Sequence, residues 1–245
     1  LKYTNGNALV YAGAFLYIAY KMKVLITGAS RGIGKELAKQ FSKAGHQVLA
    51  VARSIEALEA LAREEDNIEA ICTDINNWDQ AAEYIKEKTQ HLDLLIHNAA
   101  AFVNKPFREM LPEDMQSLYH TNVIAPYFLT QALLPLFKKG SQVLAISSIG
   151  GIGGSMKFPG LSVYSSSKGA LNIWIECLAT ELAEEGITVN ALALGSSATE
   201  MFRNAFPDLE AASQPDEMAK FIFNFALQAP GILHGKVIPV SSTNP

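Results

Sequence analysis

Cysteine is scarce: only Cys72 and Cys177 occur in 245 residues. Two thiols cannot build a disulfide framework, and neither stands at metal-ligand spacing from other cysteines or histidines. The sequence therefore offers no metal site and suits a reducing compartment such as the cytoplasm. Charge is also sparse. Charged residues make up 18% of the chain and the formal net charge is −4. Its lysines and arginines are scattered, so no basic face exists to hold nucleic acid. Repeats, low-complexity tracts and interdomain linkers are absent. The apolar run Ala8–Tyr20 has thirteen residues, whereas a bilayer-spanning helix needs roughly 18–20. It also lacks the strongly basic flank and small-residue cleavage site of a clear signal peptide. Met22-Lys23, just after it, would be a natural start for a cytoplasmic enzyme. We read residues 1–21 as an N-terminal extension packed against one domain spanning 22–245. Membrane or partner contact through residues 8–20 is the lesser alternative.

What the chain does have is apolar bulk, with 49% hydrophobic residues, enough for one large core. From Lys23 onward, short β-rich runs alternate with helical patterns. The expected strands are Lys23–Thr27, Gln47–Ala52, Ile68–Cys72, Leu92–His97, Gln142–Ser147, Thr188–Leu194 and Lys236–Val240. Most are continuously apolar, as strands buried on both faces of a parallel sheet must be. The expected helices are Ile33–Lys43, Ser54–Glu65, Trp78–Lys88, Glu113–Lys138, Val163–Glu185 and Pro215–Ala229. This pattern predicts an α/β fold: a single doubly wound, Rossmann-type domain with a seven-stranded, mainly parallel sheet and helices on both faces. Ligands are expected at the carboxyl ends of its strands.

The first strand runs directly into Gly28-Ala29-Ser30-Arg31-Gly32-Ile33-Gly34. Glycines at a strand-to-helix turn let a pyrophosphate approach backbone N–H groups at a helix N-terminus. The spacing differs by one residue from the common Gly-x-Gly-x-x-Gly fingerprint. An acidic residue ending the second strand would favour NAD, but that strand ends Val51-Ala52-Arg53-Ser54. Arg31 and Arg53 can instead converge on a 2′-phosphate through paired, charge-assisted hydrogen bonds. The cofactor expected from these residues is NADP(H).

Three tyrosines carry a lysine four residues on: Tyr17/Lys21, Tyr84/Lys88 and Tyr164/Lys168. Only the third follows a strand-like run ending in serines and a glycine-rich stretch. With these motifs in order, the sequence resembles the short-chain dehydrogenase/reductase family from about Lys23 to the C-terminus. The likeness rests on Thr27–Gly34, Asp74-Ile75, His97-Asn98-Ala99-Ala100, Asn122, Ser147-Ser148, Tyr164-x-x-x-Lys168 and Gly195–Met201. It implies that Tyr164 is the general acid, with Lys168 favouring the phenolate and binding the nicotinamide ribose. It further implies that Ser148 orients the substrate oxygen and Asn122 keeps a water in the proton relay. Ser148 is preferred to Ser147 because Gly151 and Gly154 follow it at +3 and +6. Ser147 is then left to satisfy backbone groups, and Ser165 to Ser167 read as helix-start hydroxyls. The implied cofactor contacts are Gly28, Ser30, Arg31, Gly32, Ile33, Gly34, Arg53, Asp74, Ile75, Asn98, Ala99, Tyr164, Lys168, Gly195 and Thr199.

Several features depart from the family pattern. His97-Asn98-Ala99-Ala100 replaces Asn-Asn-Ala-Gly, and Leu194-Gly195 replaces Pro-Gly, which loosens the turn near the nicotinamide. About three extra residues near Met156-Lys157-Phe158 fall at the pocket rim. His97 and His120 read as packed or hydrogen-bonded side chains, and Asp74 has an ordinary turn role as its alternative. The resemblance implies an NADPH-dependent carbonyl reductase acting on a small ketone or aldehyde. A 3-oxoacyl thioester reductase is the closest alternative, and a non-catalytic NADP(H) sensor the more distant one. Ser196–Ser213 should cover the substrate with apolar side chains. Tyr127, Phe128, Leu133, Ile173, Trp174 and Leu178, on two long helices, suggest a homodimer or homotetramer.

Overall fold

The computed structural model describes residues 9–12, 15–18 and 20–242. Two short antiparallel strands come first, β1 (Leu9–Ala12) and β2 (Phe15–Ile18), with Leu9 opposite Ile18. The repeating part begins with β3 (Lys23–Thr27), α1 (Gly32–Lys43), β4 (Gln47–Ala52), α2 (Ile55–Glu64) and β5 (Ile68–Cys72). It continues through α3 (Trp78–Lys88), β6 (Leu94–His97), α4 (Pro112–Tyr119), α5 (Ala125–Leu133), β7 (Gln142–Ser148) and α6 (Ser162–Glu181). It closes with β8 (Thr188–Leu194), α7 (Glu200–Ala205), α8 (Pro215–Gln228) and β9 (Lys236–Val240).

Seven strands pair in the order β5-β4-β3-β6-β7-β8-β9, every neighbour parallel. Strand side chains alternate between two cores, which is why the runs are continuously apolar. Val24 and Ile26 of β3 face Leu37, Phe41 and Ile222 of α1 and α8. Leu25, between them, faces the opposite layer with Ile85 of α3 and Leu129 of α5. Further along, Val143 and Ala191 pack on Leu171 and Ile175 of α6. The strand order reverses between β3 and β6, so a crevice opens at their carboxyl ends. Gly28 and Asn98 lie at that point.

The expected helix 113–138 is the main departure. It is interrupted by a π-helical turn at His120–Ile124 and ends in a 3₁₀ turn at Leu134–Leu136. Pro126 has no N–H for the carbonyl four residues back, that of Asn122, and its ring crowds that carbonyl. Pro135 disrupts the helix end in the same way. Smaller differences are a later start for β6, an earlier end for α6, the short helix α7 and the β1–β2 hairpin, none of which the periodicity indicates. No helix among the described residues is long and apolar enough to cross a membrane.

The expected packing of the 1–21 extension on the domain rests on side chains outside the described residues, apart from Lys21, whose Nζ donates to Asn67 Oδ1 at 3.3 Å, and Tyr20. Its hydroxyl donates to Asp93 Oδ1 at 2.7 Å and accepts from Lys138 Nζ at 2.8 Å. Asp93 also accepts from the Lys23 backbone N–H at 2.8 Å and pairs with Lys138 at 3.0 Å. Burial works against the carboxylate, but these donors together hold its pKa below the usual range. Its contribution to stability is therefore present above the ordinary carboxylate pKa and lost as pH falls through the depressed value. Asp93→Asn should lower stability by about 2–4 kcal/mol and the melting temperature by roughly 5–10 °C. Thermal melts at neutral pH check this, and an unchanged melt would remove Asp93 as the tie between Tyr20 and the domain.

Candidate active site

The glycine loop is held from below by β6. Asn98 Nδ2 donates to the carbonyls of Thr27 and Gly28 at 3.0 and 3.1 Å. Thr27 Oγ1 accepts from the backbone N–H groups of Asn98 and Ala99, both at 3.1 Å. Asn98 and Ala99 thus clamp the loop with the groups named, a role the motif alone does not indicate. Space is tight there. A Cβ on Gly34 would strike the Gly28 carbonyl and the Asn98 amide, and one on Gly28 would lie 2.8 Å from Ala99 Cα. Gly28 and Gly32 have φ of +70° and +55°, a region L side chains avoid. No side chain caps α1 at Arg31, so the first-turn N–H groups are left for an anion.

The remaining expected cofactor residues spread along the carboxyl ends of the strands. Ser30 is half-buried and Ile33 packs partly on the core. Arg53 is exposed just beyond β4. Arg31 is turned to Glu200, with Nη1 2.9 Å from Oε2. Asp74 accepts from the Asn76 N–H at 3.0 Å, shaping the turn into α3, and Ile75 is buried in the core beneath. Gly195 leaves β8 with its N–H on the Val240 carbonyl at 2.8 Å. Thr199 caps α7, Oγ1 accepting from the Phe202 N–H at 3.2 Å, and its methyl lies 3.3 Å from where a Gly32 Cβ would stand.

Across the crevice, β7 and α6 bring Ser148, Tyr164 and Lys168 together. Ser148 is half-buried at the strand end and its hydroxyl hydrogen-bonds Tyr164. Ser147, on the opposite face, is buried and donates to the Lys168 carbonyl at 3.4 Å. Lys168 follows Tyr164 by one helical turn, its ammonium 6.0 Å from the phenol ring centre. Burial pushes Tyr164 up to about 12, with the Ser148 hydrogen bond pulling the other way. Lys168 is itself pushed down to about 8 by burial, and its Nζ donates to the Ile146 carbonyl at 2.9 Å.

Asn122 sits in the π-turn, 1% exposed. Its side chain accepts from the Ala101 N–H at 2.8 Å and donates to the Ala101 carbonyl at 3.1 Å. It also donates to Ser167 Oγ at 3.0 Å, and Ser167 in turn donates to the Tyr164 carbonyl at 2.7 Å. Ser167 is therefore more than a helix-start hydroxyl: it joins Asn122 to the turn that carries Tyr164. Its position one residue before Lys168 on the buried side of α6 was the available signal. His97 Nε2 lies 2.7 Å from Thr130 Oγ1, whose own proton goes to the Pro126 carbonyl at 2.8 Å. Nε2 is thus the protonated nitrogen, and burial with the nearby Lys168 charge lowers the ring to about 3, leaving it neutral.

Above the phenol lies an aromatic roof. Phe102 packs on the Tyr164 ring at 4.7 Å, and Phe206 meets Phe102 at 6.2 Å. Phe202 and Phe158 flank Phe206 at 5.3 and 6.5 Å. The sequence singles out Phe158, Phe202 and Phe206 at the pocket, but not Phe102. Only its place four residues after Asn98 could have shown it. Among the described residues no cluster of three metal-ligating side chains forms.

The profile described as short chain dehydrogenase matches residues 22–210. The chain belongs to the short-chain dehydrogenase/reductase family. Its similarity to short-chain dehydrogenase/reductase proteins extends across most of the chain. It is 30% identical over 203 residues to carbonyl reductase [NADPH] 2 of Sus scrofa, covering 82% of this chain and 83% of that one. It is 34% identical over 212 residues to a 3-oxoacyl-[acyl-carrier-protein] reductase of Synechocystis sp., covering 80% and 85%. A crystal structure of a short-chain dehydrogenase from Burkholderia cenocepacia in complex with NADP superposes with a TM-score of 0.81. That match has 25% identity and covers 90% of this chain and 96% of the other.

Proposed function

We propose that this protein is an NADPH-dependent carbonyl reductase whose substrate carries its ketone or aldehyde on an apolar body. The observation that carries the reading is the half-buried Tyr164 phenol, hydrogen-bonded by Ser148 beneath a roof of phenylalanines. Burial keeps this phenol protonated, the state a proton donor starts from, and a nearby positive charge is needed for it to give the proton up. Ser148 orients the substrate oxygen towards it. Lys168 places positive charge beside the oxygen that loses the proton, and Asn122 with Ser167 fixes the turn on which both stand.

The crevice suits a dinucleotide on this chain's own geometry: positive-φ glycines, no room for a Cβ, and an uncapped helix start. Gly28, Ser30, Gly32, Ile33 and Gly34 would hold the pyrophosphate, Arg31 and Arg53 the 2′-phosphate, and Thr199 and Gly195 the nicotinamide end. When bound, the reduced nicotinamide supplies hydride to the carbonyl carbon. The NADP complex of the Burkholderia relative and the NADPH named for the porcine one support the choice of phosphate-bearing cofactor. Arg53→Asp should weaken NADPH binding about tenfold or more while leaving NADH nearly unchanged. Fluorescence titration of both cofactors checks this, and equal losses would reject the phosphate role.

The cyanobacterial relative favours a second reading, a 3-oxoacyl thioester reductase. One assay separates the two: NADPH oxidation with ketones, aldehydes, quinones and 3-oxoacyl thioesters. Thioesters alone being turned over selects the second reading, and cofactor binding without turnover of any of them counts against a reductase. Self-association belongs to the same proposal, through the face where Tyr127 and Ile173 are 41% and 61% exposed; Leu133 and Leu178, expected on that face, are instead buried in the core.

A further inference from the structure

Glu200 is the first residue of α7, the helix that carries Phe202 and ends at Phe206 in the roof over the phenol. Its carboxylate lies 2.9 Å from the Arg31 guanidinium, joining the substrate cover to the loop proposed to hold the cofactor phosphates. Beside it, the Thr199 methyl faces Gly32. At the far end of α7, Asn104 Nδ2 donates to the Ala205 carbonyl at 3.1 Å. The cover is thus tied at both ends, and its cofactor-side tie uses the guanidinium assigned above to the 2′-phosphate.

The ion pair is open to water, with side chains 63% and 54% exposed. Such a pair is weak and screened by salt. A phosphate dianion carries more charge than a carboxylate and accepts through more oxygens, so it can take the guanidinium from Glu200. We propose that Glu200 is a specificity-determining residue that competes with the 2′-phosphate for Arg31. The inference rests on the NADPH reading. Glu200 holds Arg31 and the start of α7 while the phosphate is away, and its negative charge opposes NADPH without touching NADH. The preference for NADPH is therefore smaller in this chain than its two arginines would give alone.

The test is direct titration of NADPH and NADH into the wild type, Glu200→Gln, Arg31→Gln and the double variant, followed by nicotinamide fluorescence. Salt is kept at about 0.02 M, where screening is weak. Glu200→Gln should tighten NADPH about three- to tenfold and leave NADH unmoved. The same substitution should do nothing in the Arg31→Gln background, and the gain should shrink as salt rises. NADPH binding that is unchanged or weaker in Glu200→Gln overturns the proposal, as does an equal shift for both cofactors. A wild type that binds the two cofactors equally overturns instead the NADPH reading beneath it.

Discussion

Tyr164→Phe should cost about a thousandfold in carbonyl turnover while the fold and NADPH affinity stay close to wild type. The substitution deletes one hydroxyl and keeps the ring that packs on Phe102 at 4.7 Å, so the aromatic roof has no reason to move. The lost group is the proton donor of the proposed mechanism. Its partner Ser148 stays half-buried at the end of β7, also hydrogen-bonded by the Gly150 N–H at 3.2 Å. Stability should therefore change by less than about 1 kcal/mol. Single-turnover reduction separates this from a binding defect: cofactor titration remains normal while hydride transfer stalls. A variant retaining a tenth of wild-type turnover would remove Tyr164 as the acid and point to water or Ser148. The pH dependence has a matching sign. With the phenol at about 12 and Lys168 at about 8, the donor stays loaded from acid to mildly alkaline pH. Loss of reduction on the alkaline side then first follows Lys168 as it loses its charge.

The frame of this site was legible because few chemistries need a glycine turn after a strand and a tyrosine one helical turn before a lysine. The parallel sheet was legible for the same kind of reason, since a strand such as Val24-Leu25-Ile26 can be apolar throughout only if both faces are covered. What stayed hidden depends on distant pairing. Nothing local announces that Asn98 spends its amide on the carbonyls of Thr27 and Gly28, some 70 residues away. Nor could local pattern show that Glu200 meets Arg31 or that Tyr20 meets Asp93. The π-turn at Asn122 was readable in principle, because Pro126 denies that carbonyl its helical partner. Helical periodicity, though, continues smoothly through it. Spacing shows that a lysine is near Tyr164, but not that burial pushes the phenol up to about 12.

Lys168→Met should make the protein more heat-stable while cutting turnover about a thousandfold. Lys168 is 3% exposed, donates to the Ile146 carbonyl at 2.9 Å, and has no carboxylate in ion-pair range among the described residues. An ammonium buried with so little compensation costs free energy, and its fall from 10.5 to about 8 expresses that cost. The sign follows from linkage. Between about pH 8 and 10.5 the unfolded chain binds a proton that the folded one does not, so stability rises with pH across that window. Below it both states are protonated and the folded state bears the whole penalty, on the order of 3 kcal/mol. Methionine matches the length of the stem without the charge, and gives back part of the gain by leaving the Ile146 carbonyl short of a donor. A net gain of about 1–2 kcal/mol, or roughly 3–6 °C in melting temperature, is expected at pH 7. The advantage should narrow as pH approaches 10, where the wild type no longer holds the charge. Melts of both proteins at pH 7 and pH 10 decide it. On the proposed mechanism, a buried amine that weakens the fold persists because the site uses its charge beside Tyr164. A variant that melts below wild type at pH 7 would show instead that the ammonium supports the fold, and its presence would then say nothing about catalysis.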